Sequence, residues 1–141
     1  RLVSQLSAKN GYNITVIPTK DTAETFLMVE SGRAAGSAQD SGLAYASVAS
    51  ARTSSDFVIS KKGLEPAPYG IVQPKDDPAF KKVVDEAVVG MIKSGKVAAL
   101  YQKYFLSPIP PKQINLNYPM SDILKRVLAS PTDSGDPTAY Q

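Results

Sequence analysis

Asp40 is the residue best placed to do chemistry. A short polar run, Gly36-Ser37-Ala38-Gln39, leads into it, and small residues follow from Ser41, so its carboxylate falls between a strand and a helix. At such a junction a carboxylate accepts the orphan backbone N–H groups of the helix's first turn and is favoured by the helix dipole. The carboxyl end of a parallel strand is also where open α/β sheets place their ligands. Both roles, cap and ligand contact, are open to Asp40. Gln39 and Ser41 flank it and can reach the same space, although nothing local separates them from ordinary polar residues. Thr22, in Lys20-Asp21-Thr22, reads on its own as an N-cap or a first-turn residue.

What is missing narrows the chemistry further. The 141 residues contain neither Cys nor His, which removes zinc sites of the usual kind, cysteine nucleophiles and histidine acid–base catalysis. There is no P-loop, dinucleotide fingerprint or Ser/His/Asp set. No metal and no cofactor is expected. The net charge of +3 comes from scattered lysines, adjacent only at Lys61-Lys62 and Lys81-Lys82, a pattern of solvated surface rather than a nucleic-acid stripe. No apolar run approaches the ~18 to 20 residues of a membrane-spanning helix. The absence of Cys leaves the compartment open.

The elements that must position these residues alternate. Leu2, Val3 and Leu6 suggest the last turns of a helix stopped by Asn10-Gly11. Residues 12–17 alternate and are β-branched, a strand ended by Pro18. Asp21 or Thr22 caps a helix, Glu24 sits where a capping box needs it, and Gly32 ends the element. A helix of small residues runs from Ser41 to Ala51, and Phe57-Val58-Ile59-Ser60 and Tyr69-Gly70-Ile71-Val72 read as short strands. Asp77-Pro78 opens a helix with apolar residues at Phe80, Val83, Val84, Ala87, Val88, Met91 and Ile92, stopped at Gly95. Another follows with Val97, Leu100, Tyr101, Tyr104 and Phe105 as its apolar side, the aromatic stripe reading as core. A last helix spans Ser121 to Ala129, and the segment from Pro131 to Gln141 is expected to fray. The alternation predicts an α/β fold with a largely parallel sheet.

Several of these stretches carry more than periodicity. The strand with Lys75-Asp76-Asp77-Pro78 after it, the helix ending in Ser94-Gly95, the helix ending in Lys103-Tyr104-Phe105, and the run PIPPKQINLNYPMSD from Pro108 to Asp122 together resemble the closing segment of periplasmic amino-acid-binding proteins of ABC transporters. The PIPPK-x-x-N-x-N run is the specific part, and it is similar to the C-terminal extension of the glutamate/aspartate-binding branch. The resemblance runs from about Leu2 to about Pro131.

That resemblance implies a periplasmic-binding-protein-like two-lobe fold of type II, incomplete here, with parallel-sheet lobes and a helical C-terminal tail. It would divide the chain into residues 1–66, the C-terminal part of the ligand-binding second lobe; 67–107, the return crossing and the closing strand-helix-helix of the first lobe; and 108–141, an extension with one short helix and a flexible end. Pro66, Ala67 and Pro68 would form the hinge crossing, for which the two prolines favour extended backbone. Asp40, reached after Glu30-Ser31-Gly32-Arg33-Ala34, would hold the ligand's α-ammonium, and Arg33 would be a turn residue rather than a carboxylate clamp. Thr22 stands where the family has a His that helps bind a side-chain carboxylate. A Thr hydroxyl gives no charge assistance, so this departure bears on acid selectivity.

The function implied is that of an extracytoplasmic solute-binding component of an ABC importer, taking a polar L-amino acid, glutamate or aspartate, by hinge closure and delivering it to a permease. The chain, opening at Arg1-Leu2-Val3 without Met, is expected to be part of a longer periplasmic protein with a signal peptide upstream. A missing N-terminal segment, or a second copy, would complete its sheets. Two other classes share the fold: a cyclohexadienyl or arogenate dehydratase-type enzyme using Asp40 or Glu24 as general acid or base, and a sensory binding module. The PIPPK extension favours the transport protein over both.

Overall fold

A computed structural model describes residues 2–140. Six α-helices follow in order: α1 (Leu2–Asn10), α2 (Thr22–Glu30), α3 (Ser41–Ala49), α4 (Pro78–Lys93), α5 (Lys96–Phe105) and α6 (Asp122–Ala129), with 3-10 turns at Ser54–Asp56 and Pro137–Tyr140. Two compact units divide the chain, one ending at Arg52 and the other beginning at Thr53.

The helix ends lie where the local chemistry puts them. Asp21 caps α2 by accepting the Glu24 N–H at 2.8 Å, while the Glu24 carboxylate accepts the Lys20 N–H at 2.9 Å, so the reciprocal half of the capping box closes one residue before the cap. Asp77 caps α4 through the Phe80 N–H at 2.9 Å, with Pro78 in the first turn. Ser121 caps α6 through the Leu124 N–H at 3.1 Å. Gly11 and Gly95 take the left-handed conformation, at φ 67° and 76°, that lets α1 and α4 stop abruptly. The helix after Asp40 is shorter than its run of small residues suggests, ending at Ala49 because Ser50 and Ala51 close it with i→i−3 bonds to Ser47 and Val48.

In the first unit α2 packs on α3. Met28 is its buried apolar residue, and Ser7 is a buried polar one whose needs are met. The Ser7 hydroxyl donates to the Tyr12 carbonyl at 2.6 Å and accepts from the Ile14 N–H at 3.3 Å, fixing how the chain leaves α1. In the second unit α4 packs on α5. Tyr101 is buried there, stacked on Phe105 at 4.5 Å between ring centroids, and Tyr118 closes the cluster edge-on to Phe105 at 5.8 Å. The returning tail is held by Tyr118 N–H to Phe105 carbonyl at 3.1 Å and Asn115 Nδ2 to Leu106 carbonyl at 3.2 Å. Tyr104 departs from the expected core stripe. It is 45% exposed, with Lys103 Nζ 5.1 Å from its ring centroid.

The expected sheet is where structure and sequence differ. Among the described residues there is no β-strand, only an isolated antiparallel bridge between Ile109 and Ile114. Residues 12–17, 57–60 and 69–72 are irregular; the apolar side chains of 12–17 and 69–72 are exposed, and in 57–60 Val58 is exposed between half-buried Phe57 and Ile59, with Val58 96% exposed and Val72 97%. The physical reason is that a strand is stable only when a neighbour takes its N–H and C=O groups and an apolar face is covered. These segments have the composition of strands without that neighbour. The parallel-sheet lobes expected from the alternation are therefore not formed among these residues.

The last segment carries a run of local hydrogen bonds. From 131 to 140 a series of side-chain turns runs through Thr132, Ser134 and Asp136, and the Tyr140 hydroxyl donates back to the Ser134 carbonyl. The expected start and finish of the chain at Arg1 and Gln141 lie outside the described residues.

Candidate functional site

Three of the four candidate residues are consecutive at the start of α3. Asp40 is its N-cap, and Oδ1 accepts the Gly42 N–H at 2.9 Å. The carboxylate is solvent-exposed, so capping leaves it within reach of a ligand. Ser41, also exposed, is the first helical residue. Gln39 precedes the cap and is half-buried, and its Oε1 is shut off from solvent with no hydrogen-bond partner. A buried amide oxygen left unpaired costs free energy, so it marks a place where a donor is wanted. Nothing in the sequence separated Gln39 from Ser41; burial does.

Thr22 is the first residue of α2 and half-buried. It is not the cap, since Asp21 fills that role. The candidates thus stand at the first turns of α2 and α3, two helices that pack together within one unit. Helix N-termini carry partial positive charge and unpaired N–H groups, which suits them to anions. Here Asp21, Glu24 and Asp40 already satisfy part of that demand.

The hinge candidates Pro66, Ala67 and Pro68 lie in the second unit, in the irregular stretch between the 3-10 turn at Ser54–Asp56 and α4. Pro66 is half-buried and its two neighbours are exposed. Further along, Gln73 repeats the situation of Gln39, with a buried Oε1 lacking a partner. Glu24, the alternative acid or base, is exposed and engaged by the Lys20 N–H.

In the second unit several ionisable groups are held off their ordinary values by their partners. The Asp133 carboxylate, and then that of Asp85, hold the Lys81 ammonium well above the usual lysine range. Asp133 is pushed down by its hydrogen bond from Lys81, and Asp122 by that from Lys125. Asp136 is pushed down by the Thr138 N–H and then by the Thr138 hydroxyl. Among the described residues no group of three His, Cys, Asp or Glu side chains is arranged to hold a metal ion. No helix among them is long and apolar enough to cross a membrane.

No protein-family model matches the chain. Curated proteins do. It is 43% identical over 133 residues to an L-glutamate/L-aspartate-binding protein of Pseudomonas aeruginosa, a match covering 94% of this chain and 44% of that protein. It is 33% identical over 132 residues to a glutamate/aspartate import solute-binding protein of Escherichia coli K12, and 32% identical over 132 residues to the one from Salmonella typhimurium. Each of these again covers 94% of this chain and 44% of the relative, so the chain spans less than half the length of the curated proteins it matches. Over 94% of its length, this chain is similar in sequence to proteins named for glutamate and aspartate binding.

Proposed function

We propose that this chain supplies part of the ligand-binding body of an extracytoplasmic, periplasmic solute-binding protein, which captures glutamate or aspartate and hands it to the permease of an ABC importer. The observation that carries this reading is the match, over 94% of the chain, to three curated proteins named for glutamate and aspartate. In this reading the chain acts by binding, not by turnover, and no feature of Asp40 or Glu24 favours the dehydratase alternative. The fold is the two-lobe type II arrangement, with residues 1–66 in one lobe, 67–107 in the other, Pro66, Ala67 and Pro68 at the crossing, and 108–141 as an extension.

Asp40 pairs with the ligand's ammonium from the start of α3. Support comes from its exposed carboxylate, of which the cap uses Oδ1. Gln39 stands beside it, Ser41 offers a hydroxyl, and Thr22 a neutral hydrogen bond to the ligand's side chain. The exposed apolar segments 12–17 and 69–72 gain their ladder partners from the length of protein that the relatives have and this chain does not match, or from a second copy. The test joins this chain to the unmatched portion of the Pseudomonas aeruginosa relative and titrates the chimera calorimetrically with glutamate, aspartate, glutamine and asparagine. Tight binding of the two acids is the expected result. Preference for the amides would assign Thr22 a change of selectivity, and no binding to any of the four would refute the reading.

A further inference from the structure

The end of the chain is tied back to a helix that precedes it by about fifty residues. Lys81, in the first turns of α4, places Nζ 2.5 Å from Asp85 Oδ2 on the same helix and 2.7 Å from Asp133 Oδ2 in the tail. The tail is preorganised to present Asp133. Ser134 N–H donates to Thr132 Oγ1, Asp136 N–H to Ser134 Oγ and Thr138 N–H to Asp136 Oδ1, and the Tyr140 hydroxyl closes the loop onto the Ser134 carbonyl. Arg126 of α6 reaches the Tyr140 carbonyl with Nη2 at 3.3 Å, a second anchor. We infer that residues 131–140 form a strap fastened to α4 by a single cationic catch, Lys81, and released by salt. Among the described residues the lysine is the only cation in an ion pair with either carboxylate, so the catch is electrostatic and lies at the surface. Such contacts are screened as the Debye length shrinks from ~10 Å at 0.1 M salt to ~3 Å at 1 M.

The geometry makes the catch asymmetric. Removing Asp133 loses one ion pair, whereas removing Lys81 leaves two carboxylates facing each other across the space its ammonium held, which drives the tail off. The experiment is amide hydrogen exchange read by mass spectrometry on peptides covering 131–140, in the full chain, at low salt and near 1 M. Expected for the parent is protection at low salt and roughly two- to fivefold faster exchange at high salt, the range of exposed ion pairs. Lys81→Met should exchange fast at both salts and faster than Asp133→Asn. The double exchange Lys81→Asp with Asp133→Lys again sets one lysine between two aspartates, and should restore salt-sensitive protection. Peptides from α5 report on whether each variant keeps its helical packing. Salt-independent exchange in the parent, which requires no variant, overturns the inference, as does a doubly exchanged chain whose tail stays fast while its α5 peptides match the parent.

Discussion

Replacing Asp40 separates its two roles, because Asn retains the capping oxygen and loses the charge. The cap includes a hydrogen bond of ordinary length, Gly42 N–H to Oδ1 at 2.9 Å. Asn and Asp are about equally good caps, and truncation to Ala costs about 1 kcal/mol. For a chain of 141 residues that corresponds to a fall in Tm of about 3 °C. Asp40→Asn should therefore melt within about 1 °C of the parent, while Asp40→Ala melts about 3 °C lower. Ligand affinity should divide the variants differently. A hydrogen bond between charged partners is worth about 1.5–3 kcal/mol, so losing the carboxylate should weaken glutamate binding by the chimera roughly tenfold to a hundredfold in both variants. Thermal unfolding by circular dichroism and calorimetric titration give the two readings. If Asn costs as much stability as Ala, the charge rather than the hydrogen bond supports α3. If Asn binds glutamate as tightly as the parent, Asp40 is a cap and nothing more.

Other perturbations follow from the same geometry. Gly95→Ala should cost about 1 kcal/mol in urea unfolding, because the residue sits at φ 76° and the added Cβ would meet no neighbour within 4 Å, leaving only backbone strain. Tyr118→Ala should free the stretch from 106 to 120, seen as faster amide exchange there and a lower urea midpoint, since Tyr118 completes the cluster with Tyr101 and Phe105. The strap should also loosen in acid: Asp133 is pushed below the usual carboxylate range by Lys81, so its pairing holds at neutral pH and is lost as pH falls through that depressed value. Lys81 and Asp85 of α4 are the groups that pair there, and carboxyl-carbon NMR across the titration would locate the transition. A midpoint for Asp133 at or above the ordinary aspartate value would contradict the pairing.

The helices were legible because what stops and starts them is local. Asp21, Asp77, Ser121, Gly11 and Gly95 act within one turn of their own positions, so a reading of neighbours in sequence is enough. Strand composition is equally local, but a strand is not. Residues 12–17 and 69–72 have the right residues, and what they need lies on other segments that must take their backbone groups. Ser7 went unseen because its value depends on Tyr12 and Ile14 returning across it, and a serine within a helix gives no sign of that. The pairing of Asp133 is not legible for a similar reason, as its partner lies 52 residues away.

At the candidate site, sequence placed Asp40 at a helix start, and the structure supplies the bond that makes it a cap. Sequence leaves Thr22 open as cap or first-turn residue, and the bond from the Glu24 N–H to Asp21 decides for the first turn. Gln39 became distinct from Ser41 only through the burial of its amide oxygen, which depends on packing that no single residue encodes.

A crystal structure of the chimera grown with glutamate tests the proposed pairing of Asp40 with the ammonium of an acidic amino acid. The ligand nitrogen is expected about 2.7–2.9 Å from an Asp40 carboxylate oxygen, the distance of a charge-assisted hydrogen bond. Glutamate bound elsewhere, with Asp40 touching only the first turn of α3, would contradict it.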